Sequence, residues 1–269
     1  MPFELSRLRH LVLDLDGTLY RGNRLFDATL PFLGRLRAWG IGYSFLTNNT
    51  SRSKQEYVQK LRGLGIDAGE SQIYTPADST IVYLRARLPT VKKLAVLGTP
   101  SLCRQIEEAG FVVDWEAPQA VVVGFETTLD YDRLCRTAYW IAARLPYIAT
   151  HSDLVCPTDE PTILVDCGSI CACLTAATGR PPDVVLGKPD PGILHEISAR
   201  LGIAPHEMAM VGDRVYTDVA MAQKAGVMAV LVLSGEATAA DAAALLPPAD
   251  LVVADIGELG DKLEAGRLL

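Results

Sequence analysis

The sequence predicts an α/β protein built on a parallel sheet, with a second α/β segment inserted into the first. Three observations lead there. Short unbroken apolar runs such as Leu11-Val12-Leu13 and Val230 to Leu233 suit strands covered on both faces. These runs alternate with amphipathic helical stretches, the pattern of a parallel sheet with crossover helices. The 269 residues exceed an ordinary single domain, so two domains or one core with a large insertion are expected.

Taken in order, residues 11–13 form the first strand, and Asp14 and Asp16 follow it. In extended chain, residues two apart point the same way, so both carboxylates can project to one side at the strand's carboxyl end, where open α/β sheets place their sites. Gly17 lets the backbone turn away. Two acids this close repel unless a cation or a shared proton lies between them, which implies a metal or a raised pKa. Residues 30–39 read as an amphipathic helix stopped by Gly40 and Gly42, and residues 43–46 as a strand ending on Thr47-Asn48-Asn49. The next helix opens on Ser53 with Glu56 completing a capping box, and Tyr57, Leu61 and Leu64 supply its apolar face. A strand at 73–75 and a helix at 78–88, stopping before Pro89, complete the first third.

The middle third repeats the alternation: strand 93–97, helix 100–109, strand 120–124, helix 130–144, strand 147–150. A polar loop then runs from His151 to Asp166, and an alanine-rich helix over 168–178 is closed by Gly179. Gly179 to Pro182 reads as a linker. After a strand at 184–186 comes Gly187-Lys188-Pro189, and Asp190 caps a helix that reaches Leu201. Residues 208–211 form a strand ending on Gly212-Asp213, a helix runs over 218–225, and strands follow at 230–233 and 251–253.

Composition narrows the function. A net charge of -7 argues against a nucleic-acid partner, which would want a basic face. The six scattered cysteines, the absence of a signal peptide and a longest apolar run too short to cross a bilayer predict a reduced cytoplasmic protein without a membrane partner. Cys156, Cys167, Cys171 and Cys173 raise a zinc site, but no C-x-x-C pair or histidine knuckle accompanies them, and Cys171 and Cys173 are expected to pack as small apolar groups. No P-loop or dinucleotide fingerprint is present.

The strand ends suit phosphate chemistry. Asp14 can attack phosphorus as a carboxylate, and Asp16 can protonate the leaving alcohol and later deprotonate water. Thr47 offers a hydroxyl and neighbouring N–H groups to phosphate oxygens, Lys188 a positive charge, and Asp213 a third carboxylate for a hard ion such as Mg²⁺. Three carboxylates facing a phosphate dianion need a divalent ion and a lysine beside them.

At these residues the chain resembles the haloacid dehalogenase-like superfamily, whose four motifs occur in order: DLDGT from Asp14 to Thr18, Thr47, Lys188, and GDRVYTD from Gly212 to Asp218. The long insertion, the TNN at Thr47 to Asn49 and VVVGFETTLDYDRL from Val121 to Leu134 look like class IIA, the NagD-like or nitrophenylphosphatase type. The resemblance implies a Rossmann-like core over 1–88 and 183–269 with a large α/β cap over 89–182. It also implies Mg²⁺-dependent hydrolysis of a small phosphorylated metabolite through an aspartyl-phosphate, and a possible homodimer through the cap. Carried over, Asp14 is nucleophile and metal ligand, and Asp16 is the acid/base that also binds metal through its carbonyl. Asp213 is the remaining ligand, and Asp218 supports the metal from outside its ligand sphere. Thr47 and Lys188 bind the phosphoryl group, and Asn48 and Asn49 bridge site and cap.

Asp16 separates this reading from its relatives, since dehalogenases lack it and P-type ATPases carry threonine there. Mutases usually have a helical cap early in the chain, for which residues 18–47 are too short. The alternative is a catalytically silent binding or scaffold protein of the same fold. Its signature would be loss of Asp14, Asp16 or Asp213, and none is lost. The cap departs from the family pattern at Thr150-His151-Ser152-Asp153, at Val165-Asp166-Cys167-Gly168 and at Glu126, where the family usually has Asp. Substrate selection is therefore expected in the loop from His151 to Gly168, with His151 and Asp166 as substrate contacts and Asp166 disfavouring a second negative charge.

Overall fold

The computed structural model describes residues 3–156 and 161–267. Residues 157–160, within the loop expected to select substrate, lie outside the described residues. The chain forms two compact units, one from Met1–Thr47, Val58–Tyr74 and Lys188–Leu269, the other from Asn48–Tyr57 and Thr75–Gly187.

The first unit is built on a six-stranded sheet in the spatial order Leu251–Val253, Met228–Val232, Met208–Gly212, His10–Leu13, Gly42–Leu46, Ile73–Tyr74, and every neighbouring pair is parallel. From the first strand the chain works outward to one edge, then returns to build the other half beside it. The strand order therefore reverses between His10–Leu13 and Met208–Gly212, the kind of position where such sheets bind ligands. Side chains alternate across the sheet: Val12, Met210, Ala229 and Leu231 pack with Ile193, Leu194 and Ile197 of helix Gly192–Leu201 and with Met221 and Ala222 of helix Ala220–Ala225. Helix Thr29–Ala38 buries Thr29, Phe32, Leu33 and Leu36, one face at helical spacing, and packs against helix Ile256–Arg267. His10 is buried within its strand, with Nε2 2.9 Å from Ser44 Oγ.

The second unit carries a five-stranded parallel sheet ordered Val184–Val185, Tyr147–Ala149, Ala120–Val123, Lys93–Leu97, Val112–Val113. The same alternation divides its core in two. Leu94, Val96, Ala120, Val122 and Ile148 meet Ala77 and Leu84 of helix Pro76–Arg87 and Leu102 and Ile106 of helix Pro100–Glu108. On the opposite face Ala95, Leu97, Val121, Val123 and Tyr147 meet Ile141 of helix Tyr131–Ala142 and Cys167, Ile170, Cys171 and Leu174 of helix Cys167–Thr178. Each Val, Leu or Ile side chain among these contributes about 1.5–3 kcal/mol by its withdrawal from water. Cys171 packs here as expected, whereas Cys173, two positions further round the helix, is exposed.

The predicted capping box forms, with Ser53 N–H donating to Glu56 Oε2 at 2.6 Å and Glu56 N–H donating to Ser53 Oγ at 3.2 Å. Several elements were not foreseen: helix Ile256–Arg267, the hairpin Tyr20–Arg21 with Arg24–Leu25, and the pair Val155–Cys156 with Leu164–Val165 inside the loop read as irregular. The two hairpins are strands of two residues, too short for any alternation to show. Among the described residues no helix is long and apolar enough to cross a membrane.

Candidate active site

Asp14 leaves the first strand beside Met208–Gly212. Leu13 pairs with Val211, and Asp14 N–H donates to Val211 O at 2.8 Å, which sets Asp14 next to Gly212-Asp213. Lys188 comes from 174 residues away, and its Nζ donates to Asp14 Oδ1 and, at 2.7 Å, to Asp218 Oδ1. At 4% exposure this lysine is no surface residue. Asp218 sits in the single π-helical turn Val215–Val219, and its other oxygen accepts from Arg214 N–H at 3.1 Å. Asp14 Oδ2 accepts from Thr18 Oγ1 at 3.3 Å.

Asp213 completes the group. Its Oδ2 accepts from Glu236 N–H at 2.7 Å, and two glycines make room for it: a Cβ on Gly17 or on Gly235 would overlap its carboxylate. Gly17 also has φ +84°, which a side chain would strain. Asp213 Oδ1 is buried and has no hydrogen-bond partner among the described residues. One carboxylate oxygen from each of Asp14, Asp213 and Asp218 lies within 4.8 Å of the others.

The electrostatics follow from burial. Burial pushes the Asp14 carboxyl up to about 7; Lys188 opposes that rise, and Asp218 and Asp213 add to it. Burial, then the Asp218 charge, raises Asp213 to about 6. Burial would depress the Lys188 ammonium, but Asp14 and Asp218 outweigh it and push it above the usual lysine value. One lysine cannot balance three carboxylates, and a buried oxygen without a donor is costly. An all-oxygen set with one unmatched lone pair is what a hard divalent cation fits.

Asp16 is exposed, and Thr47 is buried at the carboxyl end of Gly42–Leu46, its N–H donating to Tyr74 O at 3.2 Å. The sequence did not point to Glu236, whose backbone N–H holds Asp213. The contact spans 23 residues and uses no side chain of Glu236, so no local signal exists.

The remaining expected site residues lie in the second unit. Asn48 Nδ2 donates to Asp153 Oδ1 at 3.0 Å, and Asn49 Nδ2 to Cys156 Sγ at 3.2 Å. His151 and Asp166, expected to contact substrate, are turned on each other inside the unit: His151 Nε2 lies 2.9 Å from Asp166 Oδ1, with exposures of 0% and 2%. Glu126 is a structural brace. Its Oε1 accepts from Thr128 N–H at 2.6 Å, its Oε2 pairs with Arg133 Nη1 at 2.7 Å, and Arg133 reaches Gly98 O at 3.1 Å.

Two of the four histidines are pushed in opposite directions. Burial, and then Arg200, lowers His10 to about 4. Burial would also lower His151, but Cys167, Asp166 and Asp153 carry it up to about 9. With an unfolded value near 6.5, His151 contributes stability that is fully present below pH 6.5 and lost as pH rises through about 9, on the order of 3 kcal/mol. The His10 contribution is present above pH 6.5 and lost as pH falls through about 4. Imidazole NMR titration, assigned with His10→Gln and His151→Gln, should show the His10 midpoint well below and the His151 midpoint well above the ordinary imidazole value near 6.5. Coincident midpoints for His10 and His151 would refute this.

Fold and site define a hydrolase of the haloacid dehalogenase-like kind. Residues 11–112 match the family described as haloacid dehalogenase-like hydrolase, and residues 185–259 match a second HAD-hydrolase-like family. The chain belongs to the haloacid dehalogenase-like superfamily and to its NagD-like, class IIA phosphatases, which combine a Rossmann-like core with a large inserted α/β cap. It is 32% identical over 224 residues to the 5'-nucleotidase YutF of Bacillus subtilis, covering 83% of this chain and 86% of that one. The crystal structure of a 4-nitrophenylphosphatase from Thermotoga maritima superposes with a TM-score of 0.91 at 39% identity, covering 96% of this chain and 98% of the other. A glycerol phosphate phosphatase from Mycobacterium tuberculosis, solved in complex with magnesium, has a TM-score of 0.88 at 30% identity, with 97% and 79% covered.

Proposed function

We propose that this chain hydrolyses small phosphomonoesters through an aspartyl-phosphate on Asp14, with Mg²⁺ held by Asp14, the Asp16 carbonyl and Asp213. The observation that most supports this is the buried Asp213 Oδ1, without a hydrogen-bond partner among the described residues, beside two further carboxylates and one lysine. When bound, the cation neutralises phosphoryl charge and favours an ionised Asp14.

Asp14 attacks phosphorus as the ester P–O bond breaks, and the exposed Asp16 gives its proton to the departing oxygen. Asp16, now a carboxylate, takes a proton from the water that cleaves the acyl-phosphate, which frees Asp14 and releases inorganic phosphate. Lys188 carries the positive charge that meets the phosphoryl oxygens, and Asp218 holds that lysine in place. Thr47 adds its hydroxyl to the same oxygens. The inserted unit, Asn48–Tyr57 with Thr75–Gly187, serves as the cap that judges the leaving group. Three relatives named for acting on nucleotides, nitrophenyl phosphate and glycerol phosphate share only the monoester, which supports that class as the substrate. Retention of Asp14, Asp16 and Asp213 argues against the silent scaffold.

Phosphate release from an aryl phosphate with and without Mg²⁺ tests the activity, and thermal melting tests the site separately. A ligand that binds only the folded state at a hundredfold excess over its Kd stabilises by about 2.7 kcal/mol. Saturating Mg²⁺ should therefore raise the melting temperature by several degrees, and Asp213→Asn should abolish the rise. An equal rise in both proteins would place the cation elsewhere.

A further inference from the structure

Between strand Tyr147–Ala149 and helix Cys167–Thr178 the chain leaves the core of the second unit and returns, and a buried pair closes this excursion. His151 Nδ1 is engaged by Thr150 Oγ1 at 2.9 Å and Nε2 by Asp166 Oδ1 at 2.9 Å. The same Asp166 oxygen accepts from Cys167 N–H at 2.6 Å and so starts the helix. Around the pair, Asp166 N–H donates to Leu154 O at 3.0 Å, Gly168 N–H to Asp153 O at 2.8 Å, and Ser169 Oγ to Leu154 O at 2.7 Å. A Cβ on Gly168 would overlap the Ser152 carbonyl, so the two ends of the loop could not cross this closely without glycine.

The closed loop in turn holds two other residues. Asp153 accepts from Asn48, and Cys156 accepts from Asn49, whose own Oδ1 accepts from Ser51 N–H at 2.7 Å. Asn48 and Asn49 follow Thr47 directly in the chain. Both ring nitrogens of His151 are used within the protein and Asp166 is buried, so neither side chain is presented to a leaving group.

We infer that the His151–Asp166 pair is a positioning device, which fixes the loop that holds Asn48 and Asn49 and through them sets the placement of Thr47. The inference rests on the hydrolase reading above, in which Thr47 meets the phosphoryl group. Misplacement of a reacting group by about 1 Å can cost about 10²-fold in rate. All monoesters share the phosphoryl group, so loosening the loop falls on every substrate alike. The loss appears in kcat, and selectivity between leaving groups stays where it was. This is opposite to the expectation that Asp166 selects against a carboxylated leaving group.

The test uses the full chain with Mg²⁺, one neutral and one carboxylated phosphomonoester, and the variants Asp166→Ala, Asp166→Asn, Asn48→Ala and the double variant Asp166→Ala with Asn48→Ala. Asp166→Ala should lower kcat by about ten- to a hundredfold on both substrates, with the ratio of their kcat/KM values unchanged within about twofold. Asp166→Asn keeps an acceptor for His151 and for Cys167 N–H and should recover most of that loss. If the pair acts through Asn48, the Asp166→Ala effect should shrink in the Asn48→Ala background. Hydrogen exchange gives a readout independent of turnover: the Ser51 amide should exchange faster in Asp166→Ala.

A moved selectivity ratio, additive effects, or unchanged kcat together with unchanged Ser51 exchange would each overturn the inference. If Asp166→Ala does not fold, Asp153→Ala loosens the hold on Asn48 without touching the helix start. It should give the same uniform loss, and unchanged kcat there overturns the inference equally. Failure of the hydrolase reading is told apart because the parent itself would release no phosphate, while the Ser51 exchange comparison still decides whether the pair orders this segment.

Discussion

Asp14→Asn should abolish phosphate release while leaving the protein folded and, without Mg²⁺ at pH 8, at least as heat-stable as the parent. An amide of nearly the same shape cannot attack phosphorus, which accounts for the loss of turnover. The stability follows from linkage. Burial holds Asp14 at about 7, above its unfolded value of 3.8, so its contribution depends on the neutral form and is lost as pH rises through about 7. Asparagine is permanently neutral and keeps an oxygen to accept from Lys188, so it relieves repulsion from Asp213 and Asp218 without orphaning the lysine. Melting curves at pH 5 and pH 8 should show the variant gaining on the parent as pH rises. Turnover above about a thousandth of the parent would sink the nucleophile assignment, given that loss of such a group typically costs more than that.

Lys188→Ala should damage activity and stability together. In turnover, on the mechanism proposed above, it removes the positive charge that meets the phosphoryl oxygens, an expected loss of about 10² to 10³ in rate. In the folded protein it leaves Asp14, Asp213 and Asp218 without their lysine, and removing one partner of a buried pair costs about 3–5 kcal/mol. Thermal melting with and without Mg²⁺ separates the two losses, since a bound cation would offset part of the carboxylate repulsion in the folded protein. Less than a threefold loss of kcat/KM would place Lys188 outside the reaction. A second variant, Lys188→Ala combined with Asp14→Asn, should recover part of the melting temperature, because one of the stranded charges is gone.

The strand ends that carry the candidate site could be read from the chain because their signals are local. An apolar run marks a covered strand, and each of Asp14, Thr47, Lys188 and Asp213 stands just beyond a strand or in a short turn. The strands of the second unit were equally legible as apolar runs, whereas the division of alternate residues of Lys93–Leu97 and Ala120–Val123 between two helical layers came from the structure. The loop from His151 to Gly168 was not. Its polar composition suggested a solvated binding loop, yet two of its most polar side chains pair in the interior. Composition reports what a residue would do in water, whereas burial depends on which partner the rest of the chain delivers.

The sequence by itself determined the class of fold, the order of the longer sheet strands and most helices, and which residues could carry phosphate chemistry, because each of these depends on neighbours within a few positions. Only the tertiary structure decided that Lys188 is shared between Asp14 and Asp218, that Asp213 Oδ1 has no donor among the described residues, and that His151 and Asp166 are paired with each other. These are pairings across 15 to 174 residues. The physical reason is that a carboxylate's partner is set by which strand ends the sheet brings side by side, and that adjacency exists only once the strand order has closed around His10–Leu13.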